Sequence, residues 1–312
     1  MRPNPELDRV VATTLYEGYL LYPYRDSLKS QVRWNFGVLF PPSFAREHAD
    51  SERSSMRTEC LLRCPGEATL ELEVRFLRVV EQCRHGAEQQ LPAEEAALPV
   101  ALPPVRGPEC HLEVLRTLKL AGEERDDPAA HWRRSPLELR SHVSARDLAP
   151  GVLLVAVVTE NVTPAPTALP RSEALRWAAV SSHHVLQATA ATFVSMTAPP
   201  ADLAAAVAAC SNVGTWPVLV GPGEDTMLSA PIILEDHPQI ASASPGDLFD
   251  ATEVDELLSL NILALGEDER QEVSRTDPRA ARLLQRTDAL TKDQFMRMHG
   301  VMRPVAGEHD GG

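Results

Sequence analysis

The sequence predicts an α+β protein: an antiparallel, β-sandwich-like N-terminal half, then a mixed α/β C-terminal part ending in helices. Three observations predict it. Leu70, Leu72, Val74 and Phe76 alternate with Glu71, Glu73 and Arg75, the period of two that gives a strand one dry and one wet face. Short alternating runs separated by turn residues then recur from Cys110 to Val162. Beyond 170 the texture changes to helix-start signals, at Pro199-Pro200-Ala201-Asp202, at Asp250 with Glu253, and at Asp277-Pro278.

In chain order, LYEGYLLYPYR holds all four tyrosines, and eight of the fifteen aromatics fall within the first 44 residues. This stretch and RWNFGVLF, closed by Pro41-Pro42, read as two extended segments of an aromatic core. A docking face is the second reading, because Tyr, Trp and Arg dominate interface hot spots. AREHADSERSS reads as a loop, and 56–64 as a short strand stopped by Pro65-Gly66. Residues 84–109 carry five prolines and no sustained period, so a long Pro-rich surface loop or linker is expected.

Strands resume with Leu112, Val114, Leu118 and Leu120 on one parity, then with Leu137, Leu139, Val143 and Ala145, then with VLLVAVVTENV. TPAPTALP, at 163–170, is the expected domain boundary. The predicted organisation is a β-rich domain at 1–165, a mixed α/β domain at 166–304, and a disordered tail at 305–312. Within the second domain 171–182 reads as helical and a strand is expected near FVSM. An Ala-rich helix turns Leu203, Val207 and Cys210 inward. TWPVLVG and TMLSAPIIL flank GPGED as a hairpin. An irregular passage follows from Glu235 to Asp247, and the remainder reads as helices.

Composition narrows function. The formal net charge of −14 argues against nucleic acid or an anionic membrane surface, both of which need clustered Lys and Arg. It suits a basic protein partner. There is no basic start followed by an apolar run, so no signal peptide is expected, and no stretch approaches the roughly 18 apolar residues of a membrane span. The expected compartment is the cytoplasm. Five cysteines, an odd count in a long chain, do not suggest a disulfide framework.

Candidate chemistry is sparse. Cys60-x-x-x-Cys64 with Cys110-His111 offers zinc-type ligands, but Cys60 lies inside a predicted strand rather than on a turn, and small buried residues are the simpler reading. In Ser181-Ser182-His183-His184, adjacent residues of a strand point to opposite faces, so one packed and one wet histidine are expected. Gly221-Pro222-Gly223 lacks the Gly-Lys-Ser/Thr end of a phosphate loop. In the acidic set Glu235, Asp236, Asp247, Asp250, Glu253, Asp255 and Glu256, Asp250 and Glu253 serve a helix N-terminus and the last two a solvated face. No catalytic signature occurs, and neither a metal nor a cofactor is expected.

The wording of several segments is more specific. LYEGYLLYPYR, VRWNFGVLFP, MRTECLL, SNVGTWPVLVG, DTMLSAPIIL, DHPQIASASPGDLFDATEVDELL and TDPRAARLL resemble a bacterial family of accessory proteins encoded beside actinobacterial-type, high-affinity nickel–iron hydrogenases. The resemblance covers most of 6–80 and 170–290 and not the middle, 84–135. It brings no catalytic residues with it. What it implies is a setting of hydrogenase assembly, maturation or stabilisation, with a hydrogenase subunit or maturation factor as partner.

The leading expectation is a non-catalytic accessory or assembly factor. Its candidate partner-binding residues are Tyr22, Arg25, Arg33, Trp34, Trp216, His237 and Asp247. Two alternatives stand beside it. One is a metal-dependent hydrolase or protease-like maturation enzyme using the 235–256 acidic loop with His237. The other is a small-molecule binding module lined by the aromatics between Tyr16 and Trp34.

Overall fold

Two antiparallel sheets share one apolar core in the computed structural model. The structure describes residues 4–15, 36–84, 87–106, 110–127 and 130–238. The tyrosine-rich stretch, Trp34 and the expected C-terminal helices lie outside them, as do Tyr22, Arg25, Arg33 and Asp247. The described residues, which end at Pro238, belong to one compact unit. No helix among the described residues is long and apolar enough to cross a membrane.

The first sheet has the order β11-β1-β9-β8-β5. Its strands are β1 (Ser55–Arg63), β5 (His111–Leu120), β8 (Leu137–Ala149), β9 (Val152–Asn161) and β11 (Thr192–Phe193). Val-rich β9 sits between β1 and β8, where β-branched side chains fit a pleated, well-covered surface. The second sheet runs β12-β13-β10-β2-β7-β6, with β3 and β4 also on β2. Its strands are β2 (Glu67–Arg84), β3 (Ala87–Val100), β4 (Val105–Arg106), β6 (Glu123–Asp127), β7 (Ala130–Arg134), β10 (Val180–Thr189), β12 (Trp216–Leu219) and β13 (Thr226–Ala230). β2 is 18 residues long, about 60 Å at 3.3 Å per residue. That length lets one edge pair with β10 over 69–77 and with β7 over 81–83, while β3 takes the other edge.

The alternation at 70–76 holds. Leu70, Leu72, Val74 and Phe76 are buried in the shared core with Leu62, Val143, Val155 and Val157 of the opposing sheet. The opposite face is half-buried rather than wet, because a helix covers part of it. α1 (Pro5–Leu15) turns Leu7, Val10, Val11 and Leu15 inward, its Asp8 pairs with Arg75, and the Thr14 carbonyl accepts from Ser181 Oγ at 3.2 Å. α1 is built as such a helix should be. Asn4 Oδ1 accepts the Leu7 amide at 3.0 Å as N-cap, Pro5 opens the first turn, and Glu6 and Asp8 favour the positive end.

Four sequence expectations need correction. The Pro-rich loop at 84–109 is largely strand. β3 pairs with β2 from Arg84↔Ala87 to Leu72↔Val100, and its prolines sit where a missing N–H is tolerated. Pro92 and Ala93 oppose Val79 alone in a β-bulge, and β3 is an outer strand with no second partner among the described residues. The described part of RWNFGVLF, from Phe36 on, forms no strand. Gly37 takes φ +55°, and only isolated bridges from Leu39 to Ala179 and Arg53 remain. Pro42, read as a strand stop, opens the short helix α2 (Pro42–Glu47), which runs into the expected loop at 45–55. The helix expected over 171–182 is short, α3 (Arg171–Ala174) and one 3-10 turn, after which β10 begins.

The β12–β13 hairpin forms as expected, from Trp216↔Ala230 to Leu219↔Met227. The Ala-rich helix is α4 (Ala204–Ala208). Leu203 and Val207 pack with Leu61, Val152 and Val194, and Cys210 lies beside them. β10, β12 and β13 lie in one sheet with β2, so the boundary expected at 165/166 falls inside this unit.

Candidate functional site

Two constructions stand out, one sealed and one open. The sealed one is a chain of hydroxyls and one imidazole between the sheets. Ser141 Oγ lies 2.9 Å from Thr159 Oγ1, which lies 2.8 Å from His184 Nε2. His184 Nδ1 lies 2.8 Å from Thr58 Oγ1, which donates to Ser229 Oγ at 2.8 Å. Ser229 Oγ is 2.8 Å from Thr215 Oγ1, whose hydroxyl donates to the Ala230 carbonyl at 3.1 Å. All six side chains are at most 1 % exposed.

The proton positions follow from one fixed end. A carbonyl only accepts, so Thr215 gives its proton to Ala230 O. Ser229 therefore donates to Thr215, and Thr58 to Ser229. With the Thr58 proton committed, His184 Nδ1–H donates to Thr58, and Nε2 accepts from Thr159, which accepts from Ser141. His184 is thus the neutral Nδ1–H tautomer with both ring nitrogens satisfied. Burial, then the neighbouring His183, lower its pKa to about 3.

The sequence places His183 and His184 on opposite faces, and they are. The expectation that one is wet fails, since both are fully buried. Ser181 and Ser182 together oppose Phe76 in a bulge where Ser181 has φ +51°. Past the bulge His184 pairs with Val74, on the face toward the other sheet, and His183 pairs with Arg75, on the face that α1 covers. His183 Nδ1–H donates to Ser181 O at 2.6 Å, while Nε2 is buried without a partner among the described residues. Desolvation lowers the His183 pKa to about 4, opposed by the Ser181 bond and assisted by the charge of Arg75.

The open construction is the outer edge of β12, where the structure brings together two of the predicted residues, Trp216 and His237. Trp216 starts the strand and is 44 % exposed. His237 sits against its far end, about 10 Å along at strand spacing. The His237 amide donates to Leu219 O at 2.7 Å, and its Nδ1–H donates to Gly221 O at 2.6 Å, with the backbone held at φ +54°. Asp236 completes the clasp. Its Oδ1 accepts the Leu219 amide at 2.8 Å, and its Oδ2 accepts from Ser195 Oγ and Thr197 Oγ1. The sequence counts Asp236 among the acidic residues of a loop, whereas the fold uses it as a three-donor acceptor that ties the hairpin to the 195–198 turn. The only local sign is the run Asp-His-Pro, and the three donors to Asp236 lie 17, 39 and 41 residues away. The part of the acidic passage beyond Pro238 lies outside the described residues.

Other constellations do less. Cys60, Cys64, Cys110 and His111 do not gather into a ligand set, and no group of three or more His, Cys, Asp or Glu does so among the described residues. The thiols of Cys60, Cys64, Cys110 and Cys210 are free. Burial pushes the Cys60 thiol far up, and burial with the nearby Glu59 raises Cys210 to about 11, so neither supplies a ready thiolate. A groove of about 640 Å³ opens between Arg63, the Pro150–Gly151 turn, residues 188–192 and Asp225. Its lining is mostly Ala, Pro and Gly, with one cation and one anion at its margins.

No known family model matches the chain, and no curated protein matches it.

Proposed function

We propose that this chain is a non-catalytic accessory factor that binds a protein partner along the β12 edge, with Trp216 as the anchor. The observation that carries this reading is the exposed Trp216 on a strand edge fixed at its far end by Asp236 and His237. A large aromatic on a stiff element has little freedom to lose on binding, and hot spots are enriched in Trp. The net charge of −14 adds a field that draws a basic partner. The imidazole with hydroxyl neighbours that resembles catalytic machinery is His184, and its sealed, saturated position suits structure rather than turnover. The setting we propose is the one the sequence resemblance implies: assembly or stabilisation of a nickel–iron hydrogenase in the cytoplasm, with a hydrogenase subunit or maturation factor as the partner.

The test is co-purification of the tagged full-length chain from a strain expressing the hydrogenase operon. Capture of a hydrogenase subunit or maturation factor is expected. Trp216→Ala should weaken it roughly 30-fold, the cost of about 2 kcal/mol at a hot spot. Leu148→Ala, at an exposed residue remote in sequence from β12, should leave it unchanged. Capture of no hydrogenase protein, or equal capture by Trp216→Ala, overturns the proposal.

A further inference from the structure

A second surface, independent of β12, lies at the β5 end of the first sheet. β5 is its outermost strand, and over all ten residues it pairs with β8, its one strand partner among the described residues. Leu115, Arg116 and Thr117 at its centre are exposed, Leu115 at 56 %. A ten-residue edge with an exposed leucine in the middle is a template for another strand. Charged residues on such an edge select which strand and which register it accepts.

We propose that β5 pairs antiparallel with β5 of a second copy of this chain, with the two-fold axis at Arg116. In that register each residue faces the one equidistant from position 116 in the partner, and matching parity keeps the two core faces continuous. Leu112 meets Leu120 and Val114 meets Leu118, so every core-facing residue of β5 except Arg116 finds an apolar neighbour. Leu112 and Val114 are already buried, but their facing partners Leu118 and Leu120 remain half-exposed at the sheet margin. On the outer face Glu113 meets Lys119 twice, once on each side of the axis, and Leu115 meets Thr117. The existing contacts Glu113–His142 and Lys119–Glu138 hold these two side chains on that face, so Glu113 gains an ammonium and Lys119 a second carboxylate. Arg116 meets its own copy at the axis, on a long side chain already in water. The neighbouring register, with Leu115 on the axis, sets Arg116 against Val114 and His111 against Lys119, and it loses both ion pairs. Charge complementarity and apolar matching therefore select the copy of this same strand.

Sedimentation equilibrium of the full-length chain tests the proposal. The expected mass is twice the 34.1 kDa of one chain at micromolar concentration. Glu113→Lys and Lys119→Glu each place two like-charge pairs across the axis and should raise the dimer dissociation constant about tenfold or more. The double variant Glu113→Lys/Lys119→Glu recreates the pairs in reverse and should restore the dimer, which a merely misfolded variant would not do. Far-UV circular dichroism confirms that each variant folds. A monomeric wild-type chain overturns the proposal, leaving the edge to a different chain. So does a dimer whose mass is indifferent to either single substitution, and so does a double variant that stays monomeric. Trp216→Ala, which tests the hydrogenase reading, leaves this association unchanged.

Discussion

At the scale of the residue, His184 is the most constrained group described. Its Nε2 has one donor, Thr159, and in a dry site a lost donor leaves a nitrogen with nothing to accept. Thr159→Val keeps the shape, removes that proton and also strands Ser141. It should cost about 1–3 kcal/mol in urea unfolding. The tautomer itself is measurable, because ¹⁵N spectra of the imidazole should show Nδ1 protonated and Nε2 bare at neutral pH. The lowered pKa values of His183 and His184 also give stability a sign with pH. Between the unfolded value near 6.5 and the folded values of about 4 and 3, the unfolded chain holds protons that the folded one does not. Stability is therefore fully present above about pH 6.5 and falls as the pH drops, by about 1.4 kcal/mol per pH unit for each histidine. His184→Gln should reduce the slope of unfolding free energy against pH by about that amount between pH 4 and 6. An unchanged slope would show that His184 is protonated or exposed in the fold.

At the scale of the element, two contacts fix pieces that their own sequences leave loose. β12 has only four residues and, among the described residues, one strand partner, too little to hold an edge by itself. Asp236 supplies the rest. Asp236→Ala leaves the Leu219 amide and the Ser195 and Thr197 hydroxyls without their acceptor, and is expected to cost about 1–3 kcal/mol. Hydrogen exchange at Leu219 should accelerate more than exchange in β9, which identifies local fraying rather than global loss. Gly37 is the second case. A Cβ there would come within 2.6 Å of the Pro231 side chain, and φ is +55°. Gly37→Ala is therefore expected to destabilise by more than the roughly 1 kcal/mol of strain alone, read as a lower thermal midpoint. The prolines of β3 show the limit of local reading. Proline density signals a loop unless one knows that the strand is outermost and bulged at Pro92, and both facts belong to pairing across the sheet.

At the scale of the whole molecule, the hydroxyl–imidazole chain stitches the two sheets. Thr58, Ser141 and Thr159 come from the first sheet, and His184 and Ser229 from the second. Thr58→Val and Ser229→Ala should each destabilise. Their double variant should fall short of the sum by about 0.5–3 kcal/mol, because either substitution breaks the same chain. Strict additivity in urea melts would mean the two hydroxyls act separately and the stitch is not continuous.

Much of the fold was legible because its causes are local. The alternation at 70–76, the parity of 112–120 and 137–145, and the Gly-Pro-Gly turn of the β12–β13 hairpin are written in neighbouring residues, since a strand with one covered face must repeat every two positions. Of the candidate site, Trp216 and His237 were legible as unusual residues beside turns, but not as the two ends of one edge. Asp236 was not legible in its role at all, nor was the partnership of His184 with Thr58, Thr159 and Ser229. The sequence by itself determined the strands with one covered face, at 70–76, 112–120 and 137–145, and which side of each turns inward. Only the tertiary structure decided which polar groups meet. A hydrogen bond needs atoms within about 3 Å, and that closeness is set by which strands become neighbours, not by spacing along the chain.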